Sequence, residues 1–316
     1  MKAHPVAVIG ASNVDISATS LSPLVSGDSN PGKVEIGFGG VGRNIAENLC
    51  RLGQSVSLIT AYGEDPFGQM LRGQAQELGL DVSLSLRDER MSSSLYVCVN
   101  QPEGEMAVAV SDMEVCGGLS PDFFQDKLLY LEAQEAIVAD TNLPAETLAF
   151  LGRNCQAPLF VDTVSIPKAR KLKPILSLFT GIKTNRSEAE VLTGLGVRTE
   201  REALEAAKAL HHMGVGYVFL TMGSHGALVS DGREAFWMPP MTYDLVNTTG
   251  CGDAFFAGAL WAWLKKPDAL SMLRHGLGMA ALCAAHGHSV SPRVSPQSLG
   301  DILKKHHKEA RSYAIC

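Results

Sequence analysis

Positive charge is in short supply in this chain. Its 27 Lys and Arg stand against 33 Asp and Glu, a formal net charge of −6. Nucleic acid or an anionic membrane would require a basic footprint, so both are excluded as main partners and only local basic pockets remain. Paired cysteines are also missing. The seven cysteines, at positions 50, 98, 116, 155, 251, 283 and 316, are scattered and odd in number, with no C-x-x-C pair. That usage suits reduced, mostly buried thiols better than a disulfide framework or a zinc site. Long apolar runs are absent as well. The longest, Ala254 to Leu264, falls well short of the roughly 20 residues that span a bilayer. The opening "MKAHPVAVIGASNVD" has no long apolar core of a secretory signal. No linker, internal repeat or low-complexity segment interrupts the chain. A cytoplasmic protein is expected.

The composition that remains, 46% hydrophobic and 19% charged, is that of a globular protein. A chain of 316 residues has room for one large α/β domain or two modest ones. Short β-rich runs alternate with helical ones. "VAVIG" (6–10) reads as a buried strand, and a helix from about Gly42 to Leu52 puts Ile45, Leu49 and Leu52 on one face. "SVSLIT" is another strand, and "PFGQMLRGQAQEL" a helix with proline in its first turn. "AIVAD", "PLFVD", "GIKTN" and "YVFLT" follow, separated by helical segments such as "REALEAAKALHHM". This alternation predicts a parallel sheet with helices on both faces and ligands beyond the carboxyl ends of its strands. Asp140, Asn142, Asp162, Asn185 and Thr221 all lie at such ends.

Two regions break the rhythm. Residues 12–38 and 91–111 alternate polar with apolar, and "SSLYVCVN", "QPEG" and "EMAVAV" predict a hairpin. Two strand groups inserted between helices predict a small accessory sheet, placed to act as a lid on a single domain spanning 1–316.

The stretch "GDSNPGKVEIGFGGVGRN" (27–44) carries two overlapping nucleotide patterns. Gly27, Gly32 and Lys33 fit most of G-x-x-x-x-G-K-[ST], but Val34 stands where a hydroxyl should bind Mg²⁺, and a strand-like "KVEI" follows where a helix should begin. Gly37, Gly39 and Gly42 fit G-x-G-x-x-G, with Glu64 and Asp65 about 20 residues on. The strong N-terminal strand, however, precedes "GASNVD", which lacks that pattern. A glycine turn between a lid strand and a helix accounts for the segment better, and lets backbone approach a small ligand.

"DLVNTTGCGDAFFAGALWAWL" (244–264) carries more chemistry. A polar turn with Gly250 and Gly252 enters an apolar helix beginning near Asp253. The backbone N–H groups of Gly250, Cys251, Gly252 and Asp253 would be free to bind an anion. An aspartate there would repel a bound phosphate, unless it accepts a proton from an attacking hydroxyl while the amides stabilise the transferring group. An ordinary N-capping aspartate is the plainer alternative.

The whole string "NTTGCGDAFFAG" resembles the C-terminal signature of the ribokinase-like (PfkB) carbohydrate and nucleoside kinases, and "GGVGRNIAENLCRLG" their N-terminal one. "ASNVD", "KTNRSEAE" and "TMGSHGALV" fall in the family's order, so the resemblance runs from about Val6 to Val294. It implies a three-layer α/β/α fold with a mostly parallel sheet and a β-sheet lid, and ATP with Mg²⁺ as cofactors. It makes Asp253 the catalytic base and the amides of Gly250, Cys251 and Gly252 the anion hole. Asn13, Asp15, Gly39, Gly40 and Asn44 should meet the sugar. Asn185 and Glu188 should organise Mg²⁺ through water, and Thr221, Gly223, Ser224 and Gly226 should flank the nucleotide. Two departures stand out. Asn247 replaces the signature's first aspartate, which puts in doubt a potassium site that would draw on Asn247 and Thr249. Cys251 replaces the usual alanine and introduces a thiol whose pKa a helix N-terminus can lower.

Within the family, "DSNPGK" and "GGVGRNIAENL" resemble the pseudouridine kinases, which phosphorylate the nucleoside 5′-hydroxyl. Asn30, Lys33, Ser93 and Asp112 would then read a uracil-like base by paired hydrogen bonds, with Asn142 joining the substrate set. The expected partners are a small nucleoside and ATP, and a second copy through the lid. Another nucleoside or sugar kinase (ribose, adenosine, fructose), an NAD-dependent oxidoreductase and a non-catalytic nucleoside sensor remain as alternatives.

Overall fold

A computed structural model describes residues 5–241, 245–306 and 309–315; Asp244 and Cys316 lie outside the described residues. The strands are β1 (Pro5–Ile9), β2 (Asn13–Ser20), β3 (Gly32–Gly39), β4 (Ser55–Ile59), β5 (Ala61–Gly63), β6 (Leu86–Asp88), β7 (Leu95–Asn100) and β8 (Met106–Asp112). After them come β9 (Ala136–Asp140), β10 (Leu159–Asp162), β11 (Gly181–Asn185), β12 (Tyr217–Thr221), β13 (Ala227–Ser230), β14 (Glu234–Met238) and β15 (Arg311–Ala314). The main sheet has nine strands in the order β15-β14-β13-β12-β11-β10-β9-β1-β4. From β12 to β4 all pairings are parallel, and β13, β14 and β15 extend the other edge antiparallel.

The parallel strands are apolar along their whole length because helices cover both faces. Side chains still alternate. Val6 and Val8 join Ile45, Leu49, Phe255, Phe256, Leu273 and Leu277 on one side. Ala7 and Ile9 join Leu148, Leu151, Ala189, Leu192 and Leu210 on the other. The Cys251–Lys265 helix is buried nearly all round in its first three turns, which explains a sequence with no polar stripe there. It begins at Cys251, with Gly250 as N-cap, two residues earlier than expected; Asp253 therefore sits inside the first turn.

The antiparallel edge was not legible in sequence. "ALVS" is four residues long, and "RSYA" is largely exposed with no apolar run.

The accessory sheet forms where the two irregular regions predict it, in the order β3-β2-β7-β8. Register sorts its residues cleanly. One face carries the rows Ile36–Ile16–Val97–Val110 and Val34–Ala18–Val99–Val108, and at the root Phe38–Val14–Leu95–Asp112. The other carries Asn13, Asp15, Ser17 and Thr19 on β2, with Lys33, Glu35, Gly37 and Gly39 opposite on β3. Val14 packs against Tyr62 and Leu71 at the sheet's root, while Val34, Ile36, Val108 and Val110 farther out are each more than half exposed.

Candidate active site

The Thr248–Asp253 turn decides the geometry. Gly250 has φ 78°, and a Cβ built on it would lie 1.9 Å from the Ser289 carbonyl oxygen, so only glycine fits there. The Cys251 amide donates to the Thr248 carbonyl at 3.2 Å, which removes it from the expected anion hole. The amides of Gly250, Gly252 and Asp253 have no partner among the described residues, so these three supply the donors, reinforced by the positive end of the helix.

Asp253 is buried. Its Oδ2 accepts a 2.8 Å hydrogen bond from Nδ2 of Asn44 at the start of the Val41–Arg51 helix. Burial pushes its carboxyl up to about 7, against the attraction of Lys183 and the Asn44 hydrogen bond, with Asp162 and Asp140 adding repulsion. A base poised near neutrality suits proton abstraction. Asn44, expected at the sugar, bonds Asp253.

Sequence reasoning passed over Lys183. A lysine inside a buried strand is rare unless paired, and that was the available signal. Its Nζ lies 3.1 Å from Asp162 Oδ2, and a Cβ at Gly252 would sit 2.9 Å from it. Burial opposes its charge, but the carboxylates of Asp162, Asp253 and Glu188 outweigh that and hold it at about 12. A permanent cation thus lies beneath the Thr248–Asp253 turn. Asp140 was noted only as a strand end. Its Oδ2 accepts from the amides of Ala11 and Gly42, both at 2.9 Å, and so ties the turn after β1 to the start of the Val41–Arg51 helix.

A cleft of about 650 Å³ opens on the Gly252 side. Asn185, Thr221, Gly223, Ser224 and Gly226 line it as expected, with Lys183, Cys251 and Gly252 at its inner end and Met241, Leu245, Leu277 and Ala281 as apolar walls. Glu188 is buried. Its carboxylate accepts from the Asn185 backbone and side chain and from Thr163, and its amide returns a bond to Asn185 Oδ1. No group of three His, Cys, Asp or Glu side chains stands ready for a metal among the described residues. That donor chemistry fits a hydrated Mg²⁺ carried by nucleotide phosphates, which needs few protein ligands.

On the other side of the turn, Asn13 donates to Asp15, and Gly39 lies directly against the Asp15 carboxylate. Burial raises the Asp15 pKa, moderated by Asn13 and by the charge of Arg43. Gly40 caps the Val41–Arg51 helix. Lys33 is exposed on the Asp15 face of the sheet, four residues or roughly 13 Å along β3.

Four expected substrate contacts are placed differently. Asp112 lies on the face opposite Asp15 and caps the following turn by accepting from Glu114 N at 3.2 Å. Ser93 is fully buried with its hydroxyl engaged by Gly63. Asn30 closes its own loop through Val25 and Asp28. Asn142 Oδ1 accepts a hydrogen bond from Lys168. Each is spent on local structure.

Asn247 donates to Gly287 O and accepts from Thr249 N, both at 3.0 Å. A neutral amide closes the loop where a carboxylate would attract a monovalent cation. A hydrogen bond from Cys283 lowers the Cys251 thiol's pKa, against burial. No helix among the described residues is long and apolar enough to cross a membrane.

Residues 3–295 match the family described as pfkB family carbohydrate kinase. The pseudouridine kinase of Escherichia coli (strain K12) is 33% identical over 292 residues, covering 92% of this chain and 93% of that protein. The guanosine-inosine kinase of Exiguobacterium acetylicum is 29% identical over 283 residues, covering 88% and 93%. The structure of Arabidopsis thaliana ribokinase complexed with ribose and ATP superposes with a TM-score of 0.86 at 20% identity, covering 96% of this chain and 99% of that one, a likeness of fold.

Proposed function

This chain belongs to the pfkB family of carbohydrate kinases, and we propose that it transfers the γ-phosphoryl group of ATP to the 5′-hydroxyl of pseudouridine. The observation that carries the reading is the two-sided turn. Gly252 lines the cleft suited to a nucleotide, while Asp253 faces Asn44 on the other side. A hydroxyl against Asp253 and a phosphoryl group against the amides are therefore brought in line across one turn. Asp253 takes the hydroxyl proton. The amides of Gly250, Gly252 and Asp253, with Lys183, neutralise charge on the group in transfer. Magnesium arriving with ATP would be held through water by Asn185 and Glu188, and would supply further charge neutralisation when bound.

Asn13 and Asp15 grip the ribose, and Lys33 on the same face reaches the substrate when the small sheet closes as a lid over the single domain. Closure excludes water and suppresses ATP hydrolysis. The E. coli pseudouridine kinase likeness favours pseudouridine over other nucleosides. Family membership displaces the oxidoreductase reading, and the retained Asp253 speaks against a mere sensor.

The outer lid face, with two apolar rows across four strands, fits the same face of a second copy, since an isologous contact pairs a patch with itself. The six free cysteines of the described residues suit a reducing cytoplasm.

The deciding experiment is a panel of pseudouridine, uridine, guanosine, inosine, adenosine, ribose and fructose with ATP and Mg²⁺. Pseudouridine should give the highest kcat/KM. Preference for guanosine or inosine would move the protein to another nucleoside specificity, and no transfer to any acceptor would sink the kinase reading.

A further inference from the structure

Arg43 is a buried cation, only 5% exposed, that touches neither the nucleotide cleft nor Asp253. Its Nη1 donates to the Phe38 carbonyl near the end of β3 and to Oδ1 of Asn44, both at 3.0 Å. Its Nε donates to Gln74 at 3.2 Å, and Nη2 pairs with Glu47. Glu47 keeps a second partner, Arg51, at 2.8 Å. Ser289 Oγ bridges the same two acceptors, 3.3 Å from Phe38 O and 3.4 Å from Asn44 Oδ1. An asparagine amide has one accepting and one donating end. Two donors converge here on Oδ1, so Nδ2 is turned towards Asp253.

We propose that Arg43 is a positioning residue that acts through Asn44. One guanidinium nitrogen locks the last turn of the lid strand to the Asn44 amide, so that Asn44 presents its N–H and never its oxygen to Asp253. The inference rests on the reading of Asp253 as the base. It links lid position to base alignment: a β3 that swings away from Phe38's seat withdraws one of the two acceptors of Arg43 Nη1 and loosens the amide that holds Asp253. Nη1 serves these two acceptors while Nε and Nη2 hold Gln74 and Glu47, a four-point arrangement that the three donors of a lysine cannot reproduce. The charged and titratable groups facing Asp253 are Lys183, Asp162, Asp140, Cys251 and Cys283, and none of them bonds to Arg43.

The test uses the full chain as wild type, Arg43→Met, Arg43→Lys, Asn44→Ala and the Arg43→Met/Asn44→Ala double variant. Thermal melting accompanies each measurement, so that loss of fold is scored separately. Arg43→Met should lower kcat by about 10- to 100-fold, as small misplacements at reacting centres do, with KM for ATP within about twofold. Its acid limb should move to higher pH, because the hydrogen bond that favours the Asp253 carboxylate is loosened. Arg43→Lys should recover only part of the loss. The double variant should be no slower than Asn44→Ala alone. Additive losses, or an acid limb that stays in place, overturn the proposal. Titration of the Asp253 carboxyl by carbon NMR without substrate gives a readout independent of turnover. Equal upward movement in Arg43→Met and Asn44→Ala supports the network, and an unmoved carboxyl in Arg43→Met overturns it. Should the substrate panel show no kinase activity, that titration still decides the matter.

Discussion

Replacing Asp253 by asparagine should slow the enzyme and stabilise the protein, two effects of opposite sign from one carboxyl. As the base, Asp253 contributes what positioned proton acceptors typically supply, about 10²- to 10⁴-fold in turnover. KM for both substrates should stay within about threefold, because the amides and lid contacts remain. The stability term follows from the carboxyl's value of about 7 in the fold against an ordinary 3.8. Below 3.8 both folded and unfolded states are protonated and the group is neutral in the balance. As pH rises from there to about 7 the unfolded chain ionises first, so the folded state loses stability, and above 7 the loss is complete. Roughly three units at 1.36 kcal/mol each set a ceiling of about 4 kcal/mol. That value already contains the attraction to Lys183, so the variant should gain a few kcal/mol at most above neutrality, or several degrees in Tm. Calorimetry at alkaline and acid pH, beside a coupled assay for ADP release, measures both. Turnover within tenfold of wild type, or a variant that melts lower at alkaline pH, refutes the reasoning.

Asp15→Ala removes a charged acceptor for sugar hydroxyls, so nucleoside KM should rise about 10- to 100-fold while ATP KM hardly changes; equal losses in both would point to misfolding. Lys183→Met leaves Asp162 and Asp253 without their common cation, and should raise ATP KM at least about tenfold and shift the acid limb upward; steady-state kinetics with an unaltered ATP KM would remove Lys183 from the phosphate site. Gly250→Ala combines φ 78° with a 1.9 Å clash and should cost about 3 kcal/mol or more, read by denaturant unfolding; a fully stable variant would mean the turn can relax. Val110→Glu puts a charge into the outer lid face, and light scattering should show a dimer becoming a monomer; a wild-type monomer at micromolar concentration would dispose of the lid contact.

The sequence made the Gly250–Asp253 turn, the parallel sheet and the accessory strands legible because each rests on local pattern. Gly250–Asp253 is contiguous, the buried strands are apolar runs, and β7–β8 is a hairpin. What sequence could not supply was pairing between distant strands. Asp112 sits two residues beyond an alternating run, and only the register Leu95↔Asp112 reveals that it faces away from Asp15. Lys183 looked like one polar residue in a strand until folding placed it under Gly252, some 70 residues on. Ser93 and Asn30 had the right chemistry for a ligand, but backbone groups nearby had first claim on them.

Asn44 and Arg43 show the same limit in its sharpest form. They are neighbours in "GGVGRN", yet in an α-helix consecutive residues are turned about 100° from one another. That rotation sends Asn44 to the catalytic helix 209 residues away and Arg43 to Glu47, one turn along its own helix, and to the lid strand just before it. A motif that records both as adjacent letters cannot say that one touches Asp253 and the other bonds the amide that does so. The glycines before them serve both outcomes: Gly39 makes room for the Asp15 carboxylate, and Gly40, at φ 97°, turns the chain from lid strand into helix. The small sheet, the Asp15 carboxylate and Asp253 are thus joined over six consecutive residues, and a substitution anywhere among them should be read for its effect on Asp253 as well as on Asp15.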